Sequence, residues 1–111
     1  ELPRPHWLIF ADLKELGKFA EGAHEEIGDF AYNNSIDKLI TFGELAKIAG
    51  DEFAKSINDL KTNSANKLTH IHFTTHQDIV EYCLENLPAN ATLLAKGSRS
   101  MRLELIVDSL R

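Results

Sequence analysis

Along the chain, a short apolar run is followed by apolar positions at steps of three and four, and this alternation occurs four times. Trp7-Leu8-Ile9-Phe10-Ala11 is continuously apolar, the pattern of a strand covered on both faces. Pro3 and Pro5 ahead of it read as an extended lead-in. Leu16, Phe19, Ala20, Ala23, Ile27, Phe30 and Ala31 then build one stripe of a helix. Glu21, Glu25, Glu26 and Asp29 take its other side, and Asn33-Asn34 stops it. Residues 36–42 form a second strand rich in β-branched and aromatic positions. Gly43 turns the chain into a helix carrying Leu45, Ala46, Ala49, Phe53, Ile57 and Leu60. Gly50 is expected to break or bend that helix, because glycine inside a helix costs about 1 kcal/mol against alanine. The polar segment 61–67 is the clearest loop.

Residues 68–73 give a third strand, and Thr75 with Asp78 three positions on opens a helix in capping-box fashion. Its apolar face is Ile79, Val80, Cys83, Leu84 and Leu87, and Pro88-Ala89-Asn90 ends it. Residues 91–95 form a fourth strand. Lys96-Gly97-Ser98-Arg99-Ser100 leads from it into a helix with Leu103, Ile106, Val107 and Leu110 inward. Strands alternating with helices predict an α/β fold, an open and mostly parallel sheet with helices on both faces. Residues 1–111 form a single domain, without repeat, linker or low-complexity segment. Right-handed crossovers place every strand's C-terminal end on one edge, where ligands of open α/β sheets bind. The loops at that edge are residues 12–17, 43–44, 74–76 and 96–100.

Charge and composition narrow the classes. Twelve Lys+Arg against 17 Asp+Glu give a net charge of −5, the opposite of a nucleic-acid footprint. A single cysteine forms no internal disulfide. No apolar run approaches the roughly 20 residues of a membrane span, and no signal-peptide pattern opens the chain. These features make the cytoplasm the expected setting. The opening on Glu1-Leu2-Pro3, without methionine, suggests a processed or excised piece.

At the predicted edge, Lys96 and Arg99 flank Gly97 and Ser98 ahead of a helix. A helix N-terminus favours an anion, and a guanidinium holds a carboxylate or phosphate in a bidentate fork. The rival reading is a solvated loop in which Ser98 or Ser100 is an ordinary N-cap. The motif lacks the spacing of a P-loop. Asp12 follows the first strand and can accept a ribose hydroxyl or help hold magnesium; its rival role is a turn bonded to its own backbone. His70, His72 and His76 make a His-x-His-x-x-x-His pattern on a strand and its exit. Alternate residues of a strand share a face, so His70 and His72 could bind one metal, but nothing supplies a fourth ligand of the expected kind and no metal is assigned. His24 beside the apolar stripe reads as a packed, hydrogen-bonded residue before a general base. Cys83 reads as a small core residue.

Several stretches carry a resemblance to a known family. Phe10-Ala11-Asp12-Leu13-Lys14-Glu15-Leu16-Gly17, then His24 and Ile27-Gly28, resembles that family's Leu-Gly-Asp-Met-x-Glu-Leu-Gly…His…Val-Gly segment. Ile36-Asp37-Lys38-Leu39-Ile40-Thr41-Phe42-Gly43 is similar to its second strand and turn. Leu94-Ala95-Lys96-Gly97-Ser98-Arg99-Ser100-Met101-Arg102-Leu103-Glu104 is similar to its terminal Val-Lys-Gly-Ser-Arg-Ser motif and the helix after it. The family is that of the UDP-N-acetylmuramoyl-tripeptide–D-alanyl-D-alanine ligases, within the Mur ligases. The resemblance runs from about Trp7 to the end and concerns the family's C-terminal domain alone. It implies a Rossmann-like fragment whose first strand and helix are missing, together with the Tyr-Asn-Ala-Asn-Pro segment. Ala11 stands where glycine is usual, and Leu13 where methionine is usual.

For the full-length enzyme the resemblance implies an ATP-dependent, amide-forming reaction in peptidoglycan precursor synthesis. The tripeptide carboxylate is activated as an acyl phosphate, and the amine of D-alanyl-D-alanine attacks it. The P-loop and most contacts to ATP and Mg2+ are implied to lie in a central domain absent from this sequence, so no catalytic residue is expected here. By the same resemblance Asp12 faces the nucleotide ribose. Lys96, Gly97, Ser98 and Arg99 face the dipeptide, with Arg99 partnering its free carboxylate. The C-terminal domain acts as a lid over its own central domain. The alternative reading is a stand-alone nucleotide- or anion-binding regulatory module without catalysis. A missing first strand would also leave one sheet edge open to pairing with another chain; light scattering from a clean monomer over a wide concentration range would contradict that.

Overall fold

A computed structural model describes residues 2–59 and 68–111. The expected loop at 61–67 and the helical Leu60 lie outside the described residues. The elements are β1 (His6–Ala11), a 3-10 turn (Gly17–Phe19), α1 (Ala20–Asn33), β2 (Lys38–Phe42), α2 (Ala46–Asp59), β3 (Thr69–Phe73), α3 (His76–Asn86), β4 (Thr92–Lys96), a second 3-10 turn (Arg99–Met101) and α4 (Leu103–Ser109). All strand pairs are parallel and the order is β3-β2-β1-β4. Fold class and element order match the expectation.

β1 is central because it can be buried on both sides. Trp7, Ile9 and Ala11 face a core shared with Ile79 and Cys83 of α3 and Leu103 and Ile106 of α4. Leu8 and Phe10 face a second core with Ala31 of α1 and Ala46, Ala49 and Phe53 of α2. Burial pushes the Cys83 thiol up, as suits an inert core cysteine. Lys38 adds a cation over the rings of Trp7 and Tyr82, at 5.3 and 5.4 Å.

Three expectations about helix faces are corrected. The buried residues of α1 are His24, Gly28 and Ala31, while Phe19 and Phe30 are 69% and 56% exposed. A Cβ at Gly28 would run into the backbone oxygen of Ala49, so the missing side chain is what lets α1 lie against α2. In α3, Leu84 is exposed; Tyr82 packs instead, 5.9 Å from Trp7 and 5.4 Å from Phe73. Gly50 does not break α2, which runs through it. The space a Cβ would take there is filled by the His70 ring.

An apolar groove of about 400 Å³ runs beside β4, lined by Leu8, Ile27, Phe30, Ile36, Leu94, Ala95 and Lys96. Among the described residues, no helix is long and apolar enough to cross a membrane.

Candidate functional site at the sheet's switch point

From β1 the chain steps through β2 to β3 on one side and then returns to β4 on the other. The direction therefore reverses between β1 and β4, the place where open α/β sheets bind ligands. Two loops leave the sheet there. Asp12 and Leu13 follow β1, and Gly97 and Ser98 follow β4. They are stitched together: the Ser98 N–H donates to the Asp12 carbonyl at 2.9 Å, and the Lys14 N–H donates to Ser98 Oγ at 2.6 Å. Gly97 permits this approach, since a Cβ there would lie 2.8 Å from the Ala11 Cβ. Ala11, where glycine was expected, thus packs against the β4 exit and is fully buried.

Asp12 is only 3% exposed. Its Oδ1 accepts the Ala46 N–H at 2.7 Å, at the start of α2, where the helix dipole favours a negative charge. Its Oδ2 lies 3.4 Å from Lys14 Nζ. The carboxylate fits this place because Gly43, at φ 110°, has no side chain to collide with it. The expectation of a turn bonded to its own backbone gives way to a contact across 34 residues.

His24 is completely buried. Its Nδ1–H donates to the Ala20 carbonyl at 2.6 Å, and its Nε2 accepts the Leu13 N–H at 3.0 Å. With both nitrogens committed, it holds the β1 exit loop and has no lone pair left for general-base work.

Lys96 and Arg99 are exposed. Among the described residues neither carries an ion pair or a side-chain hydrogen bond. The local backbone differs from expectation. No regular helix begins at 96–100; a 3-10 turn, Arg99–Met101, is followed by Arg102 in the left-handed region and then by the seven residues of α4. Neither serine caps α4 with its side chain, because Ser98 Oγ is committed to Lys14. The case for an anion there therefore rests on two unpaired cations rather than on a helix dipole.

The three histidines do not meet at one point. His70 Nε2 and His72 Nδ1 both meet Thr41 Oγ1, at 2.8 and 2.7 Å, whereas His76 Nε2 meets the Met101 carbonyl at 2.7 Å. Among the described residues, no group of three or more His, Cys, Asp or Glu side chains is placed to hold a metal ion. Thr41 is fully buried and has one hydroxyl proton, so it donates to one ring and accepts from the other. Burial lowers the pKa of His70, helped by His72 and Lys47 and opposed by Asp51. Burial likewise lowers that of His72, helped by Lys47 and opposed by Asp51 and Asp12.

A lowered histidine pKa means that the folded state favours the neutral rings. Their contribution is present above the unfolded value of about 6.5 and is lost as pH falls through the folded values. The urea midpoint should therefore drop between about pH 7.5 and about pH 5.5, and drop less in His70→Gln. An equal drop in both proteins would count against the assignment. Sequence spacing marked the three histidines but gave no sign of Thr41 or Met101 as their partners.

No family model matches the chain. Individual relatives do. The UDP-N-acetylmuramoyl-tripeptide–D-alanyl-D-alanine ligase of Bacillus subtilis is 29% identical over 103 residues, which are 93% of this chain and 21% of the relative. The Buchnera aphidicola enzyme of the same name, from Acyrthosiphon pisum, is 30% identical over 93% of this chain and 20% of its own length. The Escherichia coli enzyme is 27% identical across the whole chain. The chain is homologous to the C-terminal part of these ligases.

A crystal structure of MurF from Acinetobacter baumannii has the same fold, with a TM-score of 0.68 and 20% identity over 95% of this chain. The chain spans about a fifth of the length of the curated ligases it matches. Within the stretch homologous to MurF, the fold brings Asp12, Gly97 and Ser98 into one stitched corner, with Lys96 and Arg99 exposed beside it.

Proposed function

We propose that this chain is the closing domain of an ATP-dependent ligase that joins D-alanyl-D-alanine to UDP-N-acetylmuramoyl-tripeptide. It would act in the cytoplasm, in peptidoglycan precursor synthesis. The observation that carries this reading is the coverage: ligases of that one name match nearly all of this chain with about a fifth of their own length. Alone, the chain would catalyse nothing.

Arg99 supplies a fork for the free carboxylate of the dipeptide, and Lys96 adds positive potential beside it. Gly97 and Ser98 hold that loop against the β1 exit. Asp12 Oδ1 is occupied by Ala46, so a nucleotide ribose would have to engage Oδ2, which lies 3.4 Å from Lys14 Nζ. This enclosed carboxylate does not make a magnesium cradle, so ATP and Mg2+ belong to the central domain on this reading. Closure of the lid orients the dipeptide amine and excludes water from the site.

The test is cheap. The gene upstream of the Glu1 codon should encode a Gly-Lys-Thr/Ser P-loop and a Tyr-Asn-Ala-Asn-Pro segment. If neither is there, the ligase reading falls and a stand-alone anion-binding module takes its place.

A further inference from the structure

We propose that His76 is a positioning residue for Arg99, an inference that rests on the closing-domain reading. Arg99 and Ser100 stand on a short arch with two fastenings. At one end Ser98 is tied to the β1 exit through the Asp12 carbonyl and the Lys14 N–H. At the other end the Met101 carbonyl accepts His76 Nε2–H at 2.7 Å. Between them the turn closes on itself, Met101 N–H to the Ser98 carbonyl at 2.9 Å and Arg102 N–H to the Arg99 carbonyl at 3.0 Å. Arg102, in the left-handed region at φ 55°, then turns the chain sharply into the short helix α4.

His76 is itself held firmly. It is the first residue of α3, whose start is fixed by Thr75 Oγ1 accepting the Asp78 N–H at 3.1 Å. Its ring meets Phe42 edge-on, with centroids 4.7 Å apart. The β3 exit thereby sets where the guanidinium of the β4 exit stands, although the two residues are far apart in sequence.

Two variants separate the hydrogen bond from the packing. His76→Phe keeps a ring against Phe42 and deletes the N–H; His76→Gln replaces the ring with an amide donor. In the full-length ligase, His76→Phe should raise the KM for D-alanyl-D-alanine about fivefold, the worth of one neutral hydrogen bond. The KM for ATP and the kcat at saturating dipeptide should stay within about twofold of wild type. His76→Gln should restore most of the dipeptide KM.

Because His76 acts through Arg99, the double variant His76→Phe/Arg99→Ala should be no worse than Arg99→Ala alone. Independent, multiplying effects would overturn the proposal, as would an equal rise in both KM values. If Arg99→Ala raises the dipeptide KM and His76→Phe does not, the His76 role fails and the closing-domain reading stands. If Arg99→Ala itself leaves the dipeptide KM unchanged, both fail together.

Discussion

Gly28→Ala should destabilise the protein even though alanine is the better helix former. The position lies within α1, where intrinsic propensity favours alanine by up to about 1 kcal/mol. A Cβ at Gly28, however, would run into the backbone oxygen of Ala49 and come within 3.0 Å of the Glu52 Cβ. Backbone cannot rotate away as a side-chain tip can, so α1 and α2 must separate, and Phe53 and Ala31 lose packing with them. Overpacking of this kind costs about 2–3 kcal/mol net, a fall in Tm on the order of 10 °C for a chain of this size. Gly22 in the same helix supplies the control. A Cβ there meets nothing within 4 Å, so Gly22→Ala should hold or raise the Tm. Thermal unfolding of the two variants side by side decides the matter: a shift of the same sign in both would mean that the close helix contact does not exist.

The same contact explains where sequence reasoning succeeded and where it stopped. The strands were legible because β1 is apolar at every position from Trp7 to Ala11, and only a strand covered on both faces tolerates that. The element order, the parallel sheet and the edge carrying the loops followed from it. The rotation of α1 was not legible. Its buried face includes Gly28, which has no side chain and meets α2, and the polar His24, so an apolar stripe alone pointed to Phe19 and Phe30. The start of α3 was readable because Thr75 and Asp78 act over three residues.

The site was half legible for a related reason. Arg99, Lys96 and Asp12 are marked by their chemistry and by their places after strands. What they touch is decided by residues distant in the chain: Asp12 caps a helix 34 positions away, and Met101 answers to His76 across 25. No periodicity encodes such partners. Asp12 illustrates the consequence. Its loss would impair any nucleotide contact and would also uncap α2, so Asp12→Ala is a poor probe of ribose binding.

Arg99 is the cleaner probe, because it is exposed and, among the described residues, supports nothing else in the fold. Arg99→Ala should leave the unfolding free energy within about 0.5 kcal/mol of wild type, as a surface substitution does. A charge-assisted fork to a carboxylate contributes about 1.5–3 kcal/mol, which corresponds to a loss of roughly ten- to a hundredfold in dipeptide recognition. The effect should be confined to the substrate that carries the carboxylate. The deciding measurement is therefore the steady-state KM of Arg99→Ala in the full-length ligase, for D-alanyl-D-alanine and for ATP in the same preparation. The closing-domain account predicts a rise of at least about tenfold for the dipeptide with the ATP value nearly unchanged. Equal rises for both substrates, or no rise for the dipeptide, would contradict it.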